Sequence, residues 1–263
     1  MSQQQLKGAW ALVTGASSGL GEDFARELAA QGMNLVLAAR TRVPMEALAS
    51  ALRSAHGVEV VVESIDLSLP ESADELQRRI AARGIQIEVL INNAGFGVYG
   101  EFVSTDWARI ETMLQVDLMT LTRLTHRYGA EMAARGHGRI LLISSIGGYQ
   151  ATPLYAAYCA AKAYVLSLGE ALNDELGRRG VTVSVLSPGI TATKFLAVSG
   201  QRATFYQRML MMQSLPVVRI GLKALARGRA SIVPGVANAL TVFGNRFLPR
   251  RWQSAIAYQL MKN

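Results

Sequence analysis

Ala9-Trp10-Ala11-Leu12-Val13-Thr14, followed at once by Gly15-Ala16-Ser17-Ser18-Gly19-Leu20-Gly21, is the stretch that decides the fold. The first six residues form a short apolar run suited to a buried strand. Beyond the glycines, Glu22 to Gln31 has apolar Phe24 and Leu28 at helical spacing, and Gly32 stops the pattern. A strand, a glycine turn and a helix in immediate succession make the first unit of a dinucleotide fold, in which a diphosphate rests on the free amides of the helix N-terminus. Glycines at the turn allow the close backbone approach that such a ligand needs.

The rest of the chain repeats that alternation. Apolar, β-branched runs occur at 34–39, 58–65, 87–92, 139–144, 181–186 and 230–233, separated mostly by helical patterns. Alternating strands and helices imply a parallel sheet covered on both faces. The 263 residues suit one domain with a single large core, and no internal repeat or Gly/Ser linker marks a second.

The chemistry points to the middle of the chain. In Tyr158-Cys159-Ala160-Ala161-Lys162 a phenol and an ammonium stand four residues apart, on one face of a helix, with Ser145 thirteen residues upstream. A nearby ammonium favours the phenolate, so the spacing predicts a lowered phenol pKa and an acid/base role for Tyr158 near neutrality.

Thr14-Gly15-x-x-x-Gly19-x-Gly21, Asn92-Asn93-Ala94-Gly95, Ser145, Tyr158-x-x-x-Lys162 and Pro188-Gly189, in that order, closely resemble the motifs of the short-chain dehydrogenase/reductase family over about residues 8 to 195. The resemblance implies a doubly wound Rossmann-type α/β fold: three layers, a parallel sheet of about seven strands, and one domain spanning 1–263. It also implies a nucleotide site. Gly15, Ser17, Ser18, Gly19, Leu20 and Gly21 would hold the diphosphate, Asp66 and Leu67 the adenine, and Asn93, Ala94 and Gly95 the adjoining ribose. Pro188, Gly189, Ile190 and Thr193 would border the nicotinamide. Tyr158 would exchange a proton with the substrate oxygen, Lys162 would assist it and bind the nicotinamide ribose, and Ser145 would hydrogen-bond the same oxygen.

Cofactor choice is read at the end of the second strand, where an acid would bond the ribose of NAD and a base would accommodate the phosphate of NADP. The chain has Leu37-Ala38-Ala39-Arg40, without the acid, and Arg40 offers a planar donor fork; NADP(H) is expected. One position departs from the family pattern: Asp117 falls where many members have an asparagine that holds a water in the proton path. A carboxylate cannot donate as an amide does, and it would favour the Lys162 ammonium while opposing the Tyr158 phenolate. An altered pH optimum is expected.

The formal net charge of +8 is unevenly spread: residues 1 to 175 hold 14 Lys+Arg against 19 Asp+Glu, and residues 176 to 263 hold 13 Lys+Arg and no acid. That asymmetry suggests an anionic partner. The family resemblance implies a mobile substrate lid over residues 194–220, with Phe205 and Tyr206 among its apolar residues. Over 236–263 aromatic and aliphatic side chains are interleaved with Arg246, Arg250, Arg251 and Lys262. Two readings of this extension stay open: a helix in an anionic membrane interface, or an oligomer-facing helix with a solvated basic face. Nucleic acid is not expected, since no reading element accompanies the charge.

Residues 230–245 lack charge, but 16 residues with Pro234 and Gly235 inside fall short of the roughly 20 that a span needs. The N-terminal Met1 to Lys7 has no apolar signal region, so a cytoplasmic protein is expected, touching a membrane at most from outside. Cys159 is the single cysteine and reads as a packing residue; His56, His126 and His137 lack metal-ligand spacing, and no metal is expected. The helical stretches 107–134 and 155–179 correspond to family subunit interfaces, implying a homodimer or homotetramer. The leading expectation is an NADP(H)-dependent carbonyl reductase or alcohol dehydrogenase acting on a small hydrophobic substrate. Its rival is a catalytically idle scaffold that senses NADP(H) or binds a membrane.

Overall fold

The computed structural model describes residues 6–262. Residues 1–5 and 263 lie outside the described residues, as do the side chains of Phe205 and Tyr206, which the sequence reading assigned to the lid. The opening stretch becomes strand β1 (Trp10–Thr14), with Ala11, Leu12 and Val13 fully buried, and helix α1 (Gly19–Ala30). The helix starts at Gly19 rather than Glu22, so the last glycines of the turn already belong to its first turn.

The chain continues through β2 (Asn34–Ala39), α2 (Arg42–His56), β3 (Val60–Ser64), α3 (Ser72–Ala81) and β4 (Ile87–Asn92). Next come α4 (Trp107–Leu114), a π-helical turn (Gln115–Thr120), α5 (Leu121–Arg135), β5 (Gly138–Ile143), α6 (Ala156–Gly177) and β6 (Val181–Leu186). After α7 (Phe195–Ser199), α8 (Phe205–Leu210), α9 (Ser214–Ala226) and the short β7 (Ser231–Ile232), the chain ends in α10 (Val236–Gly244) and α11 (Arg250–Met261). The strands match the sequence expectation to within two residues at each end. The stretch 107–134 differs from it: its apolar periodicity reads as one continuous helix, but the structure inserts the π turn at its centre.

Seven strands form one sheet in the order β3-β2-β1-β4-β5-β6-β7, every pair parallel. Parallel strands need crossovers, and the helices that supply them cover both faces. On one face Phe24, Leu28, Met45, Leu52, Val217 and Leu225 from α1, α2 and α9 pack on the strands. On the other, Leu76, Ile80, Leu124, Met132 and Val165 from α3, α5 and α6 do the same. Contact there is close: a Cβ at Gly169 of α6 would run into the side chain of Val185 in β6.

Strand order reverses between β1 and β4, and ligands of open α/β sheets bind in the crevice beyond the carboxyl ends at such a point. The two strand ends are tied together there. Thr14 Oγ1 accepts from the backbone N–H groups of Asn93 and Ala94, each at 2.9 Å, and Asn93 Nδ2 donates to the Thr14 carbonyl at 2.9 Å.

Candidate active site

The glycine turn leaves β1 at this junction. Gly15 and Gly19 have φ of 68° and 60°, in the left-handed region that L side chains rarely adopt. Gly21 answers to space instead: a Cβ there would run into the Gly15 carbonyl and stand 2.8 Å from Asn93 Nδ2. Ser18, the N-cap of α1, makes no side-chain cap hydrogen bond, so the first amides of the helix are left for a ligand. A turn too tight for side chains and an uncapped helix N-terminus together fit a diphosphate.

One cavity runs from this turn across the ends of the strands. Gly15, Ser18, Gly19 and Leu20 line it at one end, with Asn93, Ala94 and Gly95 beside them. Ser145, Tyr158 and Lys162 line its middle, facing Pro188, Gly189, Ile190 and Thr193 from the loop after β6. That loop closes on the glycine turn, since a Cβ at Gly19 would lie 3.1 Å from Thr193 Cγ2.

Six residues expected at the site stand outside the cavity wall. Ser17 is half-buried in the turn and Gly21 lies beneath it. Arg40 is exposed at the end of β2. Asp66 accepts hydrogen bonds from Ser68 N and Oγ; burial pushes its carboxyl up, but these bonds and the charge of Arg40 bring it below its ordinary value. Leu67 is a core residue whose carbonyl accepts from Thr120 Oγ1. Asp117 is buried behind the cavity.

Asp117 and Lys162 meet there. Asp117 Oδ2 lies 2.9 Å from Lys162 Nζ, both side chains are buried, and Oδ1 accepts from Phe96 N at 3.0 Å. Lys162 also donates to the Ile143 carbonyl. Burial pushes the Asp117 carboxyl up, against the pull of Lys162. Asp117 sits in the π turn, whose extra residue re-aims side chains relative to a regular helix, and such turns recur at functional sites.

This pair reverses the expectation for Tyr158. The Lys162 ammonium lies 5.6 Å from the centre of the Tyr158 ring, near enough for a lone cation to favour the phenolate. Paired with Asp117, it presents almost no net charge. The ring lines the cavity and is half-buried, and burial first, then the Asp117 carboxylate, then Cys159 hold the phenol well above its ordinary value. A hydrogen bond with the Ser145 side chain acts in the opposite sense. In the chain by itself the phenol is therefore an acid rather than a base.

Several cavity residues carry no motif. Tyr155, one helical turn before Tyr158, bonds through its hydroxyl to Ser199 Oγ and Gln201 Oε1, both at 2.9 Å, and burial raises its pKa to about 12. Gln207 donates to Gln201 Oε1 at 2.8 Å, and Gln201 donates to the Met261 carbonyl at 2.7 Å. Phe195 packs on Tyr158, ring centres 5.3 Å apart. Isolated glutamines in the apolar stretch after β6 were the available signal; their partners are set by loop geometry. Cys159 is buried, with its thiol raised to about 11 by that burial. Among the described residues no group of three His, Cys, Asp or Glu side chains could hold a metal ion, and no helix is long and apolar enough to cross a membrane.

Comparison with known proteins sets this geometry in context. A family model described as short chain dehydrogenase matches residues 9–203. The chain is 32% identical over 191 residues to a very-long-chain 3-oxoacyl-CoA reductase of Pyrenophora tritici-repentis, covering 71% of this chain but only 56% of that protein. It is 32% identical over 196 residues to a 7beta-hydroxysteroid dehydrogenase of Collinsella aerofaciens, covering 74% of each. A short-chain dehydrogenase from Sphingobium yanoikuyae, solved in complex with NADPH, superposes with a TM-score of 0.82 at 32% identity over 91% of this chain and 94% of that one.

Proposed function

Because this chain belongs to the short-chain dehydrogenase/reductase family, an oxidoreductase family, we propose that it reduces the carbonyl of a hydrophobic substrate, or oxidises the matching alcohol, with NADP(H). One observation carries the reading: Ser145, Tyr158 and Lys162 meet in a single cavity that is continuous with the glycine turn. The glycine cradle and the uncapped start of α1 suit the diphosphate. Arg40, with no acid at the end of β2, suits the phosphate that distinguishes NADP, and the NADPH-bound relative supports that choice. When bound, the nicotinamide supplies or accepts the hydride at the substrate carbon.

The protein's own residues handle the proton. Tyr158, held protonated by its surroundings, donates to the developing oxyanion during reduction, and Ser145 hydrogen-bonds the same oxygen. Lys162, anchored by Asp117 and the Ile143 carbonyl, would bind the nicotinamide ribose, and the phenolate left on Tyr158 would recover its proton from solvent. Phe195 shields the phenol from water. Apolar Phe96, Ile146, Leu196, Val198 and Met261 around the rest of the cavity suit a lipid-like or polycyclic substrate, in keeping with the acyl-thioester and steroid enzymes among the relatives. Self-association is expected through the outer faces of α4 to α6, where Trp107, Met119 and Tyr164 are exposed.

The test is Tyr158→Phe, assayed for NADPH consumption against 3-oxoacyl thioesters, steroids and aromatic ketones. Turnover should fall at least about a hundredfold while NADPH binding, followed by fluorescence, is retained. Undiminished turnover would remove the phenol from the mechanism, and a wild-type protein that binds no NADPH would remove the reaction itself.

A further inference from the structure

The last two helices form an unusual surface. In α10, Val236, Leu240 and Phe243 recur at spacings of four and three and are all exposed, Val236 at 78%. Phe247, 74% exposed, extends the stripe with its ring 5.3 Å from that of Phe243. Trp252 and Ile256 add a second exposed pair on α11. Single exposed apolar side chains need no explanation, but a run of large ones on adjoining helices marks an interaction site.

Charge accompanies the stripe. Arg246 lies over the Phe243 ring at 5.9 Å, Arg250 and Arg251 open α11, and all three are exposed. Between residues 176 and 263 there is no carboxylate side chain to neutralise them. The same segment reaches the cavity: Met261 of α11 lines it, and Asn245, just after α10, donates to Gln150, which also lines it, at 2.5 Å.

We propose that α10 and α11 form a docking surface for an anionic lipid membrane, with the aromatic side chains entering the interface and Arg246, Arg250 and Arg251 meeting the headgroups. A second copy of the chain fits the surface less well. A two-fold interface places each patch on itself, and would set six arginines together with no acid from this segment between them. An anionic bilayer satisfies both halves of the patch, apolar and basic, at once. The docking is independent of the reaction proposed above; entry of apolar substrates from the lipid side rests on that reaction.

The test uses the full chain and vesicles of phosphatidylcholine, with and without phosphatidylglycerol, in a sedimentation assay at low and high salt. Binding should require phosphatidylglycerol and weaken with salt. Replacing all three arginines by Gln should weaken it by about fivefold each, or about a hundredfold together. The double variant Phe243→Ser, Trp252→Ser should lower affinity at least tenfold with the circular dichroism unchanged. The proposal is overturned if the wild-type chain does not sediment with anionic vesicles at low salt, or if both variants bind as it does. It is also overturned if the wild-type chain ignores vesicles while the apolar variant converts an oligomer to a monomer in the ultracentrifuge.

Discussion

Asp117 shows how one residue resets a site. Its carboxylate occupies the ammonium that the Tyr158-Lys162 spacing assigns to the phenol, and it also opposes the phenolate directly. In Asp117→Asn the amide oxygen can still accept from Phe96 N, but the negative charge is gone. The sign follows: with Asp117 ionised the phenol is raised, so removing the charge lowers it, and the pH at which alcohol oxidation gains its phenolate moves down. A pH profile of kcat/KM for oxidation should show its acid limb at lower pH in the variant; an unchanged profile would mean that the carboxylate does not act on the phenol. Sequence reading found Asp117 and the sense of its effect on the phenol. It also named Lys162 as the ammonium that the carboxylate favours; what spacing did not give is their direct contact at 2.9 Å, which a π turn sets with no signature in the apolar periodicity of 107–134.

Among elements, the β1–α1 turn and the loop after β6 as far as Thr193 were legible, and the polar network beyond that loop was not. The turn is a local problem of backbone angles and close approach, and both are stated by glycines at fixed places. Gly21→Ala tests the closeness: its methyl would meet the Gly15 carbonyl and the Asn93 amide, neither free to yield, because both belong to the β1–β4 junction. A cost of about 1–3 kcal/mol is expected, seen as a lower Tm, with NADPH affinity reduced at least tenfold in a fluorescence titration. After β6, by contrast, the polar chain from Tyr155 through Gln201 and Gln207 to Met261 joins residues up to 106 positions apart. Spacing along the sequence says nothing about such meetings, and so the far wall of the cavity escaped prediction.

At the scale of the whole molecule, alternation of strand and helix foretold a parallel sheet, but the order of its strands came only through family resemblance. That order divides the chain. β1 to β3 are neighbours in sequence and in space, β4 to β7 likewise, and one long-range pairing, β1 with β4, joins the two sets across 77 intervening positions from Thr14 to Asn92. The nucleotide cradle straddles that junction, with Gly15 on one side and Asn93 on the other. A ligand seated there fastens the molecule's two halves like a rivet through a lap joint. Saturating NADPH, at a hundred times its Kd, should add about 2.7 kcal/mol and raise Tm by roughly 5–10 °C. Native-state hydrogen exchange should slow in strands remote from the cradle on both flanks, β3 as well as β6. Protection confined to the glycine turn would show instead that each flank opens independently of its neighbour.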